Sequence, residues 1–389
     1  MIRDIDSPAI ADRTAGKAAR GWKESGDRAA GNAVLALPPG PALSRCTDAA
    51  RARGETITAS AGPYRRYLLL EVPGRWGQSA LDERNLGPAT ARWLARAAAE
   101  AGLNVLLIRR PGRPAAGVAS TVRASGPPAW ALADTSPGTE RVQWGSWNRP
   151  EDLHDLDLAA GIPAAAVRTG PQRLALTCTN GKRDLCCAVR GRPVAQVLAA
   201  TGDWDSWECS HLGGHRFAAT MMLLPTGDMF GWLDPPTAVA AVQRFDAGQF
   251  LLPHYRGRSG QPAPVQAALQ AAAVRLGDTR RHAFEATSAG RVPPAPGAGG
   301  GDQPAEADRW EVLVRHQAEP GRAVTYRVTV AGSVPSPAQL SCSDELLRAE
   351  VRYTCVSLSR AALSRVSLSR VAPSREPLDS GGATLPRSR

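Results

Sequence analysis

Residues 178–187 read CTNGKRDLCC, and residues 207–215 read WECSHLGGH. These two segments hold four of the seven cysteines and two of the six histidines in the 389-residue chain. Thiolate sulfur is a soft ligand and imidazole nitrogen is borderline, so this mixture suits either zinc or an iron–sulfur centre. The segments therefore predict a metal centre around which the rest of the chain is organised, and the residues alone leave both metals open.

The spacing of the donors differs from that of common metal motifs. Cys178 and Cys186 are eight residues apart, so the pair is not the C-x-x-C of a zinc ribbon or a dithiol oxidoreductase. Gly181, Gly213 and Gly214 let the backbone pass close to a bulky centre, because glycine has no Cβ. We interpret the first segment as a loop wide enough to wrap a two-iron cluster.

Three motifs are similar to those of the sucrase/ferredoxin-like family: CTNGKRDLCCAVRGRPVA (178–195), WECSHLGGHRFAA (207–219) and LLPTGDMFGWL (223–233). The similarity continues in RRYLLLEVPGRWGQSAL (65–81), NVLLIRRPGR (104–113), HYRGRSG (254–260) and PVQAA (264–268), and spans about residues 42 to 358. The resemblance implies a thioredoxin-like protein that carries a [2Fe-2S] cluster.

The resemblance also implies which residues hold the cluster, namely two cysteines and two histidines: Cys178, Cys187, His211 and His215. The doubled cysteine makes Cys186 an alternative to Cys187. Many relatives carry Asp at the position of His215, which makes Cys209 the alternative fourth ligand.

The other cysteines lie far from this region. Cys46 sits in a short predicted helix without a local partner, and we interpret it as a half-buried free thiol. Cys342 and Cys355 fall in a predicted β-extension, and a disulfide between them is not expected in a reducing compartment. We therefore expect that replacing Cys46 or Cys342 leaves the cluster intact.

Composition narrows the class of protein. The formal net charge is +11, but the segment from Ser359 to Arg389 alone has six arginines against two acidic residues. Aromatic residues make up 5% of the chain, and no basic helix is interleaved with aromatics, which disfavours nucleic-acid binding. No signal-peptide h-region and no apolar run of about 18 residues is present, so we expect a cytoplasmic protein without a membrane partner.

Hydrophobic patterning predicts two similar halves. In the first half, residues 67–72 and 104–110 are strands joined by a helix over 88–101, and two more strands lie near 130–132 and 142–144. In the second half, the strand at 173–177 leads into Cys178. A helix beginning at Pro193, a strand at 204–209, a hairpin over 217–233 and helices at 236–245 and 264–276 follow. This order is typical of a thioredoxin fold, with both ligand groups in loops at strand ends.

The predicted fold class is α/β, with two thioredoxin-like domains, a small C-terminal β-extension and disordered ends. The predicted segments are a disordered N-terminal tail (1–40), an N-terminal thioredoxin-like domain without a cluster (41–155), a thioredoxin-like ferredoxin domain with the Cys/His cluster site (156–285), a Pro/Gly linker (286–308), the β-extension (309–358) and a Ser/Arg-rich disordered tail (359–389).

These features predict an electron-transfer protein with one [2Fe-2S] cluster and a redox partner protein. The alternative is a zinc-stabilised structural or interaction module on the same ligands, because structural zinc also closes with two cysteines and two histidines. A sugar hydrolase is disfavoured, since it needs two carboxylates that flank a sugar, and Asp203 and Asp205 lie only two residues apart. An electron carrier is thus favoured over an enzyme.

Overall fold

The computed structural model describes residues 35–36, 45–112, 126–159, 170–293, 308–344 and 346–361. Its strands are β1 (Leu35–Ala36), β2 (Arg66–Glu71), β3 (Leu103–Arg109), β4 (Ala129–Asp134), β5 (Arg141–Ser146), β6 (Leu174–Cys178), β7 (Asp205–Cys209), β8 (Met221–Leu224), β9 (Asp228–Phe230), β10 (Tyr255–Arg258), β11 (Phe284–Arg291), β12 (Arg309–Glu319), β13 (Arg322–Ser333), β14 (Leu346–Leu347) and β15 (Arg352–Arg360). Its α-helices are α1 (Cys46–Ala52), α2 (Glu83–Leu86), α3 (Pro88–Glu100), α4 (Leu185–Thr201), α5 (Pro235–Asp246) and α6 (Ala263–Leu276). None of the helices in these ranges has the length and apolar character needed to cross a membrane.

A nine-stranded mixed sheet with the order β10-β9-β8-β6-β7-β3-β2-β4-β5 carries the fold. In the first half, β2 pairs in parallel with β3 across the helical crossover and antiparallel with β4, which then pairs with β5. In the second half, β6 pairs in the same way with β7 and with β8, which then pairs with β9. The two halves therefore repeat one strand order, each with its first strand in the middle.

The halves join through a short antiparallel contact between β3 and β7, where Ile108 lies opposite Cys209 and Arg109 opposite Glu208. The predicted α/β class is confirmed, and the predicted boundary near residue 155 lies between the two halves of this one continuous sheet. The sheet is thus continuous from one half to the other beside Cys209.

Both faces of the sheet are packed. On one face, residues of both halves form a single cluster that includes Leu69, Ile108, Leu176 and Trp207. On the opposite face, the first half packs against α3, and the second half packs against α4 and α5. The continuous apolar runs of β2 and β6 follow from this arrangement, because central strands covered on both faces need no polar alternation.

A second sheet of four strands, in the order β11-β12-β13-β15, packs against α6 through a separate cluster around Val312, Val314 and Val328. The three predicted strands of the β-extension correspond to β12, β13 and β15. Strand β11 occupies residues 286–291 of the segment assigned to a linker, while residues 294–307 and 362–389 lie outside the described residues. Of the predicted N-terminal tail, the described part is β1, which pairs with β14.

Helix α4 begins at Leu185, eight residues before the predicted start at Pro193, so that part of the prediction is wrong. The side chain of Asp184 caps the helix by accepting the backbone N–H of Cys186 at 2.8 Å. Pro193 lies inside the helix, where it costs one backbone hydrogen bond without ending the helix. As a result, Cys186 and Cys187 lie in the first helical turn rather than in a loop.

A buried ionic network ties the ends of the described chain to the second half. The carboxylate of Glu55, whose side chain is fully buried, pairs with Arg216 at 2.5 Å and with Arg352 at 2.7 Å. Arg216 also pairs with Glu350 at 2.7 Å, but the Glu350 side chain is 51% exposed. The network joins the segment after α1, the turn after β7 and the start of β15.

We predict that Glu55→Ala lowers the free energy of unfolding by about 3–5 kcal/mol, because it leaves the buried charge of Arg216 with the half-exposed Glu350 as its remaining partner. Glu350→Ala is the matched control and should cost less than about 1 kcal/mol, since its carboxylate is half exposed to solvent. Urea denaturation of both variants measures the difference. Equal losses would show that Glu55 has no special weight in the network.

Candidate metal centre

Two parallel strands deliver cysteines to one edge of the sheet. Strands β6 and β7 end at Cys178 and Cys209, which are paired in register. Both side chains are buried, with 1% and 0% exposure, and both belong to the core cluster shared by the two halves. The edge of the sheet that carries these cysteines therefore lies within the fold.

The first turn of α4 brings Cys187 to the same place. The Cys187 side chain is 2% exposed and joins Cys178 in the shared core cluster. Gly191, one turn later, passes so close to β6 that a Cβ there would lie 2.1 Å from the carbonyl oxygen of Cys178. Glycine at this position lets the helix approach the strand, which sets how near Cys187 lies to Cys178.

The segment after β7 supplies the histidines. Gly213 and Gly214 both adopt positive φ angles, of 78° and 68°, which turn the chain between His211 and His215. The guanidinium of the fully buried Arg256 donates to the carbonyl oxygen of Gly213 at 3.1 Å. The turn stacks the two imidazole rings with their centroids 4.5 Å apart.

The four residues implied as ligands form a closed ring of contacts. The Sγ of Cys187 lies 3.8 Å from Nδ1 of His215, whose ring stacks on that of His211. His211 in turn lies beside Cys178, which interacts with Cys187. The structure thus brings together Cys178, Cys187, His211 and His215 from three separate elements.

The contacts within the ring shift the thiol pKa values in opposite directions. A hydrogen bond from Cys187 holds the pKa of Cys178 well below its usual range, against the opposing effect of burial, and the nearby His211 lowers it further. The same contact, together with burial, raises the pKa of Cys187.

Of the four residues implied as ligands, His211 has the polar atoms with the fewest hydrogen bonds. Both of its ring nitrogens are buried, and neither makes a hydrogen bond of ordinary geometry with any described residue. The ring lies close enough to Cys178 to lower the pKa of that thiol. His211 also lines a cavity of about 500 Å³ whose other walls include Tyr67, Ser79 and Leu106 of the first half.

Cys209, the alternative to His215, lies deeper than the ring. It is fully buried, and desolvation is the main cause that raises its pKa. The carbonyl of Cys209 accepts the N–H of Thr179 at 3.1 Å, which holds the ends of β6 and β7 together. Its side chain packs within the core cluster that also contains Cys178 and Cys187.

Cys186, the alternative to Cys187, belongs to a different group of donors. Its Sγ lies 3.7 Å from that of Cys46 and 3.4 Å from that of Cys342. Together with a carboxylate oxygen of Asp184, these three sulfurs form a group whose donor atoms all lie within 4.8 Å of one another. The group could hold a metal ion.

Cys46 is a free thiol without a local partner, as expected, but the prediction that it is half-buried is wrong, because it is fully buried. Its contacts lie 138 to 296 residues away in sequence, so local reasoning had no signal for them. The cap residue Asp184, two residues before Cys186, was the one local sign that a helix begins there.

A family model described as Sucrase/ferredoxin-like matches residues 57–257, which is just over half of the chain. The matched segment contains Cys178, Cys187, His211 and His215, whereas Cys46 and Cys342 lie outside it. No curated protein and no solved structure matches the chain.

The histidine turn generates a prediction about stability. We expect Gly214→Ala to lower the free energy of unfolding by more than Gly248→Ala, although both replace a glycine with a φ near +70°. A Cβ at Gly214 would lie 2.6 Å from Nη2 of the buried Arg256, whereas a Cβ at Gly248 meets nothing within 4 Å. Gly248→Ala should cost about 1–2 kcal/mol for the left-handed backbone alone.

Urea denaturation of the two variants measures the difference. Equal losses would show that Arg256 moves aside freely and does not fix the turn between the histidines.

Proposed function

Because this chain belongs to the sucrase/ferredoxin-like family, we propose that it is an electron-transfer protein carrying one [2Fe-2S] cluster. The residues that would hold the cluster are Cys178, Cys187, His211 and His215. When bound, such a cluster supplies one-electron exchange, which none of the protein's own side chains in this region provides.

The observation that carries the proposal is the state of His211. The two ring nitrogens of His211 are buried without a hydrogen bond to any described residue, which costs free energy because they have lost water without gaining a hydrogen-bond partner. A bond from one nitrogen to a metal removes part of that cost, and the neighbouring thiol of Cys178 has a lowered pKa that favours the thiolate form a metal requires. The donor set, soft sulfur with borderline nitrogen, fits an iron–sulfur group.

The width of the ring favours a cluster over a single ion. Among the described residues, the donor atoms of one group all lie within 4.8 Å of one another, as a single ion requires. That group consists of Cys46, Asp184, Cys186 and Cys342. The ring of Cys178, Cys187, His211 and His215 makes pairwise contacts around its edge and does not converge in this way. A centre with two irons needs this greater spread, which supports [2Fe-2S] over zinc on these ligands.

The surrounding protein divides the ring into a closed and an open side. Cys178 and Cys187 are almost fully buried, so their sulfurs are shielded from water and from oxidants. His211 and His215 are only partly buried, and His211 faces the cavity between the halves. We infer that a redox partner protein approaches from the histidine side.

We also propose that the two halves are related thioredoxin-like units. Each has a central first strand, a parallel neighbour reached through a helix, and an antiparallel hairpin on the other side. In the second unit, α5 follows the hairpin and completes the expected order. The ring of ligands lies at the end of β6 and β7, and the corresponding ends of β2 and β3 carry no cysteine or histidine.

A sugar hydrolase gains no support from the two aspartates near β7. Asp205 pairs with Arg110 and accepts the indole N–H of Trp207 at 2.8 Å, so its carboxylate is already engaged.

We predict that the anaerobically purified chain is red-brown and contains about two iron and two sulfide per molecule. Cys178→Ser and Cys187→Ser should each abolish most of the iron and sulfide, because each removes one of the few thiolates available to the cluster. Cys355→Ser is the matched control, since this thiol lies on β15 in the second sheet, and it should keep wild-type iron. Iron and sulfide analysis, together with a visible absorption spectrum, measures the cluster content of all three variants.

A colourless wild-type protein with zinc on the ring would contradict the proposal and favour the structural zinc module. If Cys186→Ser loses iron and Cys187→Ser keeps it, the choice within the doubled cysteine is wrong.

A further inference from the structure

A second group of side chains that could bind a metal lies on a different side of α4 from the ring. It consists of Cys46 at the start of α1, Asp184 and Cys186 at the start of α4, and Cys342 in the segment after β13. Cys46, Asp184 and Cys186 are buried, and Cys342 is half-buried. The proposed electron transfer uses none of the four.

The distances within the group match those of a single tetrahedral ion. The sulfur of Cys186 lies 3.7 Å from that of Cys46 and 3.4 Å from that of Cys342. The sulfur of Cys46 lies 3.8 Å from Oδ1 of Asp184. Sulfur ligands about 2.3 Å from one zinc ion, at tetrahedral angles, lie about 3.8 Å from each other. These three distances fit the edges of a zinc-sized tetrahedron, and all four donor atoms lie within 4.8 Å of one another.

The carboxylate of Asp184 is held in a way that leaves room for a metal. Its Oδ2 accepts the hydroxyl of Ser341 and the N–H of Cys342, both at 2.8 Å, which uses both lone pairs of that oxygen. Its Oδ1 accepts the N–H of Cys186 and, at 3.8 Å, the thiol of Cys46, so one lone pair of Oδ1 becomes available to a metal once that thiol loses its proton. Hydrogen bonds of this kind orient a ligand and are typical of the surroundings of metal sites.

The sulfur of Cys342 also accepts a hydrogen bond that favours its role as a metal ligand. The N–H of Cys46 donates to it at 3.3 Å, a contact that stabilises negative charge on sulfur. A disulfide does not account for the group, because the sulfurs are far beyond the bonding distance of about 2.05 Å and any one disulfide would leave the third sulfur over.

We propose that Cys46, Asp184, Cys186 and Cys342 bind one zinc ion through three thiolates and one carboxylate oxygen. Binding displaces the protons of the three thiols, and no electron transfer accompanies it. Zinc is favoured over ferrous iron at such a site because it binds sulfur ligands more tightly. The partly exposed Cys342 gives the ion a path from solvent.

The ion would join three segments that are remote in sequence. Cys46 and Cys186 are 140 residues apart, and Cys186 and Cys342 are 156 apart. The site also touches the ring, because Thr47, next to Cys46, donates its hydroxyl to the carbonyl oxygen of His215 at 3.1 Å. The zinc would therefore hold α1 and the segment of Cys342 against the start of α4 and would support the histidine turn.

The test is metal analysis of the full chain with zinc K-edge X-ray absorption on the wild-type protein. We expect about one zinc per molecule, with about three sulfur neighbours near 2.3 Å and one oxygen near 2.0–2.2 Å. Cys46→Ser and Cys342→Ser should lose the zinc and melt several degrees lower, while Cys355→Ser keeps it. Iron and sulfide should stay near wild-type levels in any of these variants that fold.

Three outcomes would overturn the inference: a wild-type protein without zinc, a zinc shell that contains imidazole nitrogen, or a disulfide among Cys46, Cys186 and Cys342 found by mass spectrometry. The absorption measurement uses the wild-type chain, so it decides even if the variants misfold. If the protein contains iron but no zinc, the zinc site is contradicted and the proposed cluster is not. If it contains a three-sulfur zinc site but no iron, the proposed cluster is contradicted and the zinc site is not.

Discussion

The hydrogen bond from the N–H of Cys186 to the carboxylate of Asp184 fixes where α4 begins, and the site depends on that start. Consecutive residues on a helix point about 100° apart. With the helix starting at Leu185, Cys186 faces Cys46 and Cys342, and Cys187 faces the ends of β6 and β7. One capped helix end thus separates two adjacent thiols into two different environments.

The edge of the sheet beside α4 carries the other residues of the proposed site. Parallel strands β6 and β7 place Cys178 and Cys209 side by side, and β7 leads directly into the histidine turn. The same end of β7 is held to the first half, since Ser210 exchanges hydrogen bonds with the backbone of Leu107 on β3. The first half carries no ligand in our proposal, yet it fixes the strand from which both histidines follow.

The sequence allowed much of this to be predicted, because the relevant signals are local. The buried run before Cys178, the hairpin after His215 and three of the four strands of the second sheet follow from hydrophobic patterning. The features that the sequence did not predict depend on long-range contacts. Strand β11 is mostly exposed and forms through backbone pairing with β12, and the strand pairing between the halves covers two residue pairs. The partners of Cys46 lie more than a hundred residues away, so no spacing rule connects them.

The central claim is that imidazole and thiolate from three elements serve one redox centre, while Cys186 and Cys209 stay outside it. Pulsed electron paramagnetic resonance on the dithionite-reduced full chain tests this directly, because it detects nitrogen nuclei bound to a paramagnetic centre. We predict strong coupling to two nitrogens, and we expect the coupling to one of them to disappear in His215→Ala. A reduced centre without coupling to bound nitrogen would contradict it and would place the cysteines alone, Cys209 among them, around the iron.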